Sequence, residues 1–151
     1  MLSFKQFVES KEESDFSFPL SVYHGTDLDS AKDIKERGLD LSKCDRGYFG
    51  KAFYVTTDKD LAESNYADFS GDEEGGVVLE FEMNPINRVL DLRKSDDWDT
   101  YSNLKYKGRE IRSFMGIDEF PLIMKSLGID ALYDRSNDAF AIYNIKTLEL
   151  K

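Results

Sequence analysis

Gly50-Lys51-Ala52-Phe53-Tyr54-Val55-Thr56 is the stretch on which the fold turns. Aromatic and β-branched residues run together behind a glycine, which predicts a strand over 52–56. Upstream, Ser21-Val22-Tyr23-His24 predicts a second strand. Ala31 and Ile34 then set a helical spacing from Ser30, as N-cap, to Arg37, with Gly38 behind it. Downstream, Asp58 caps a helix running through Tyr66, and the acidic, glycine-rich stretch 70–76 is a loop. Val77-Val78-Leu79-Glu80-Phe81-Glu82-Met83 is a strong strand closed by Asn84-Pro85. A strand follows over 88–92, and the polar stretch 94–107 fits no single element. Helices are expected over 109–115 and 119–127, the second with Pro121 in its first turn, where proline is tolerated. Three strands close the chain, over 130–133, 139–143 and 147–150. Strands and helices mix without a βαβ rhythm and without an internal repeat, so the fold class is α+β.

Composition bounds the rest. The 151 residues are 40% hydrophobic and include 11 Phe and 8 Tyr, enough for a packed core in one domain. No apolar run approaches the roughly 18 residues of a membrane span, so no membrane association and a cytoplasmic location are expected. A single cysteine, Cys44, excludes an internal disulfide and a cysteine-based zinc site. A single histidine, His24, excludes two-histidine metal centres, and no metal is expected. Thirty acidic against twenty basic residues give a net charge of −10, which opposes unaided binding to a nucleic-acid backbone.

The first twenty residues stand apart as an amphipathic, leader-like segment, with the main domain expected over 21–151. Leu2, Phe4, Phe7 and Val8 lie at near-helical spacing ahead of a polar run. The segment lacks the basic start and long apolar centre of a secretory signal. Its Met1-x-x-Phe4-x-x-Phe7 opening resembles those of tailed-phage proteins, some of which direct cargo into the capsid.

Chemistry must come from short blocks, because a Rossmann fingerprint, a P-loop and a GxSxG elbow are all absent. The blocks are Val22-Tyr23-His24-Gly25-Thr26, then Gly50 to Thr56, then Tyr66 within Leu61-Ala62-Glu63-Ser64-Asn65-Tyr66-Ala67. The last is Ser136-Asn137-Asp138-Ala139-Phe140-Ala141-Ile142-Tyr143-Asn144. In this order they resemble the diphtheria-toxin-like, poly(ADP-ribose)-polymerase-like branch of the ADP-ribosyltransferases. The resemblance implies a split β-sheet core around an NAD cleft, with short helices. It implies that His24 bonds the adenosine ribose, that Gly25 pairs with the nicotinamide carboxamide, and that Thr26 flanks them. Tyr54 and Tyr66 would sandwich the nicotinamide ring, and Ser64 would offer a hydroxyl. The catalytic set implied is His24, Tyr54 and a glutamate that stabilises an oxocarbenium-like ribose.

That glutamate position is Ala139, in the register fixed by Ile142-Tyr143-Asn144-Ile145. Three accounts stay open: a substituted glutamate, a naturally degenerate binder, or Asp138 taking its place through a strand bulge. Asp130, Asp134 and Asp138 recur every four residues and read as a solvated loop edge. Asn137, in the loop before the strand, is a candidate for contact with the acceptor. The expected activity is mono-ADP-ribosyl transfer from NAD to a macromolecule, protein or nucleic acid, in the manner of a phage effector or toxin. The alternative is a catalytically dead module that binds NAD or ADP-ribose. An RNA 2′-phosphotransferase shares the fold family but relies on additional core histidines, and here there is one.

Overall fold

The strand expected around Tyr54 lies at the seam between two sheets. The computed structural model describes residues 16–44, 46–64, 76–134, 136 and 138–151. The expected N-terminal helix, the 70–75 loop, Tyr66 and Asn137 lie outside those residues. One sheet has three antiparallel strands: β1 (Leu20–Asp27), β5 (Gly76–Met83) and β11 (Leu148–Leu150), with β5 in the middle. The other runs in the order β4 (Phe53–Val55), β10 (Ala139–Ile142), β9 (Ile129–Asp134) and β6 (Arg88–Asp91). Its first two pairings are antiparallel, and β9 pairs with β6 in parallel. A single bridge, Tyr23 to Thr56, joins the sheets through reciprocal backbone bonds of 2.7 and 2.9 Å.

Strand β9 is buried along its whole length, because the four-stranded sheet is covered on both faces. On one face Leu90, Leu132 and Ala141 pack with Phe120, Ile123 and Met124 of α4 (Phe120–Ser126). On the other, Phe53, Val55, Ala131, Phe140 and Ile142 pack with Val22, Leu79, Phe81 and Met83 of the three-stranded sheet. Each of the Val, Leu, Ile, Phe and Met side chains among them contributes about 1.5–3 kcal/mol on leaving water. Two cores thus clamp one sheet, and its ends are left to carry polar groups.

Local chemistry sets the element boundaries. Helix α1 (Leu28–Arg37) is capped by Asp27, whose carboxylate accepts from the Ser30 amide and hydroxyl. Ser30 is therefore a partner of the cap and not the cap itself. Asp58 caps the short α2 (Lys59–Ala62) as expected. The open stretch after residue 94 contains α3 (Ser95–Ser102) and then a small hairpin of β7 (Lys105–Tyr106) and β8 (Arg109–Glu110). Lys107 and Gly108 turn that hairpin at φ 52° and 76°. Two consecutive left-handed residues form the tight turn that suits a two-residue hairpin. The helix expected over 109–115 is thus replaced by β8 and a 3₁₀ turn, Ile111–Phe114.

The solvated edge expected of the three aspartates is also corrected. Asp130 is completely buried and Asp134 nearly so. The Asp130 carboxylate accepts from the Ile86 and Asn87 amides and from the Asn144 side chain at 3.0 Å, tying the β5–β6 turn to the start of β9. Such a buried charge is tolerable because several donors meet it.

Candidate active site

The sequence blocks around His24 and Tyr54, thirty residues apart, meet directly. The His24 Nδ1–H donates to the Tyr54 carbonyl oxygen at 2.7 Å. A carbonyl only accepts, so the proton is on Nδ1 and Nε2 carries the lone pair. The imidazole also stacks on Phe53, with ring centroids 4.2 Å apart. Burial pushes its pKa below the ordinary histidine value, against the opposing effect of the Tyr54 carbonyl. The ring is therefore neutral at pH 7 and offers Nε2 as an acceptor.

The Tyr54 ring is fixed from the other side. Two short strands, β2 (Arg46–Gly47) and β3 (Gly50–Lys51), form a hairpin over it. The Tyr54 hydroxyl donates to the Gly50 carbonyl at 2.7 Å and accepts from the Phe49 amide at 3.0 Å. A Cβ at Gly47 would overlap the Tyr54 ring, so the hairpin approaches this closely only because residue 47 is glycine. Burial raises the Tyr54 hydroxyl to about 12, which keeps it a neutral phenol. Sequence reasoning did not single out this hairpin. The Gly47 and Gly50 pair around Tyr48-Phe49 was its signal.

Between β1, α1 and the hairpin lies an open cleft of about 560 Å³. His24, Gly25, Thr26 and Tyr54 all line it, so four of the predicted site residues share one concave surface. That volume is in the range of small-molecule and cofactor sites. Asp27, Asp33 and Asp40 also line it. The carboxyls of Asp27 and Asp40 are lowered from the ordinary aspartate value by hydrogen bonds from Ser30 and Ser42 respectively. Asp33 is paired with Lys43 at 2.9 Å. Lys43 and Arg46 supply positive charge on the same lining, and Arg46 also reaches Asp118 at 3.0 Å.

A second, much smaller cavity of about 10 Å³ continues the site along the seam. Tyr23, Gly25, Tyr54, Thr56 and Ala139 line it. Gly25 and Tyr54 therefore face both spaces, and Ala139 stands next to them. The space is about that of one water. Ala139 is itself buried at the start of β10.

The other predicted residues lie elsewhere. Ser64 is exposed in the turn that follows α2. Asp138 sits in the β9–β10 turn with a left-handed φ of 44°. Its carboxylate accepts from the Tyr133 hydroxyl at 2.6 Å and from Thr57 at 3.1 Å. Tyr133 belongs to the face that packs on the three-stranded sheet, opposite the face of Tyr54. Among the described residues, no group of three or more His, Cys, Asp and Glu is placed to hold a metal ion. No helix among them is long and apolar enough to cross a membrane.

No protein-family model matches the sequence, and no curated protein matches it. The α+β class is evident from the two larger sheets, two small hairpins and four short helices among the described residues. What supports a functional reading is therefore the set of sequence blocks and the site's own geometry.

Proposed function

We propose that this chain is an NAD-dependent ADP-ribosyltransferase of the poly(ADP-ribose)-polymerase-like branch, transferring one ADP-ribose to a macromolecular acceptor. The observation that carries the reading is the bond from His24 to the Tyr54 carbonyl. It joins the two blocks of the family resemblance at the seam of a split sheet, beside a cleft of cofactor size.

Each residue then has work that suits its surroundings. Neutral His24 presents Nε2 to a ribose hydroxyl of the adenosine half. Gly25 leaves its backbone open to the nicotinamide carboxamide. Tyr54 offers a ring whose position is set by bonds from its own hydroxyl, so little freedom is lost when a planar ligand stacks on it. Lys43 and Arg46 are the cations on the lining that would meet the diphosphate. NAD is the co-substrate, and the acceptor is a protein or a nucleic acid held by local contacts against a net charge of −10. The phage-like opening of the sequence favours an effector or toxin-like role in a host cytoplasm.

A second reading rests on Ala139. An alanine in the glutamate position supports a module that binds NAD or ADP-ribose without turning it over. Nicotinamide release from NAD, followed by chromatography over hours, separates the two: the enzyme reading predicts release and the binding-module reading predicts none.

A further inference from the structure

We infer that Asp134, not residue 139 or Asp138, supplies the carboxylate that serves the nicotinamide ribose in this chain. The inference rests on the NAD reading above and adds a residue to it. Register carries the argument. Ala139 pairs directly with Asp134 across β10 and β9, as Ala141 pairs with Leu132. Ala141 also pairs with Tyr54 across β10 and β4. Directly opposed residues point to the same side of a sheet, and so do residues two apart along a strand. Asp134, Ala139 and Tyr54 therefore share one face.

Distance follows from the same register. Opposed residues in an antiparallel pair have Cβ atoms about 4.5–5.5 Å apart. Asp134 thus lies one strand beyond Ala139 from Tyr54, with only the alanine side chain between its carboxylate and that ring on the shared face. Alanine at 139 is then a requirement and not a defect. A longer side chain there would stand between Asp134 and the small cavity that Ala139 lines with Gly25 and Tyr54. The Ser136 amide donates to Asp134 Oδ1 at 3.0 Å and fixes the carboxylate's orientation. The Asp134 charge is also felt at Tyr54, where it adds to burial in raising the hydroxyl pKa. Asp138, by contrast, is turned to Tyr133 on the opposite face.

The reaction served is cleavage of the bond between the nicotinamide nitrogen and ribose C1′. Nicotinamide leaves neutral with the bonding pair, and positive charge develops on C1′ and the ring oxygen. Water or the acceptor's nucleophile then adds to C1′ and gives up a proton to solvent. A fixed carboxylate beside that ribose is worth most when the charge has developed, so it acts on turnover more than on binding.

The test uses the full chain, with NAD binding by calorimetry and nicotinamide release by chromatography. Asp134→Asn is expected to lower kcat by about a hundred-fold or more while Kd for NAD stays within about two-fold. A fall in kcat at unchanged Kd is the split that a merely structural role for Asp134 does not predict, and adding Ala139→Glu to Asp134→Asn is expected to return the charge and recover turnover. If Asp134→Asn fails to fold, Asp134→Glu replaces it: reduced turnover at unchanged Kd supports the assignment, and unchanged turnover overturns it. Wild-type chain that binds NAD yet releases no nicotinamide overturns the Asp134 assignment and leaves the binding reading standing. Folded wild-type chain that fails to bind NAD removes the NAD reading itself, and the assignment falls with it.

Discussion

The two ends of strand β9 give the same residue type different surroundings. At its start Asp130 is fully buried and meets two backbone amides and an asparagine side chain. At its end Asp134 lies on the same face, opposite Ala139 and toward Tyr54. The first carboxylate is consumed in holding a turn. The second accepts from the Ser136 amide and faces the smallest side chain that still carries a Cβ. A spacing of four along the sequence made them look alike, and only the strand neighbours separate them.

The largest expected effect is at the structural end. Asp130→Ala strands the Ile86 and Asn87 amides and the Asn144 side chain in a buried site. It should cost about 3 kcal/mol or more of stability, read by urea denaturation. A loss below about 1 kcal/mol would mean that the turn finds other partners and that the contrast between the two ends is false.

Next is the hairpin that covers Tyr54. Gly47→Ala places a methyl group where the Tyr54 ring lies, so one of them must move. Overpacking of this kind costs about 1–3 kcal/mol. Thermal unfolding should register that loss, and NAD binding should weaken with it. An unshifted melting curve would show that the hairpin is free to lift away, and that Tyr54 is not held as described.

Much of this arrangement was legible in the sequence, and the gaps have physical causes. His24, Gly25 and Tyr54 sit in strands whose aromatic and β-branched neighbours announce them, so the two strands that border the cleft are legible in the sequence. The Asp27 cap was missed in favour of Ser30 because both residues are good caps; the choice depends on which carboxylate or hydroxyl reaches the first free amides. The β7–β8 hairpin was hidden by a polar stretch, although Lys107-Gly108 carries a turn signal. Asp134 was named in the sequence only as part of a loop edge, because a spacing of four says nothing of its partner; its pairing with Ala139 depends on the register of β9 and β10, which the turn between them sets.

His24 gives two smaller effects. Its truncation to alanine removes one neutral hydrogen bond to the ligand. That should cost on the order of 1 kcal/mol, about a five-fold rise in Kd for NAD. The pH effect concerns stability. Burial lowers the folded-state pKa below the unfolded value, so the unfolded chain takes up the proton first as pH falls. The contribution of neutral His24 is complete above about pH 6.5 and is lost progressively as pH falls through the folded-state pKa. Wild-type stability measured from pH 7.5 to 5 should therefore fall more steeply than that of His24→Gln. Parallel curves would mean that the imidazole charges in place without penalty.

The most direct test of the central claim is isothermal titration of the folded wild-type chain with NAD, alongside His24→Ala. Saturable one-to-one binding in the wild type, weakened several-fold in the variant, is the predicted result. Absence of binding at millimolar NAD, with the chain shown to be folded by its thermal transition, would contradict the reading of the His24–Tyr54 cleft as an NAD site.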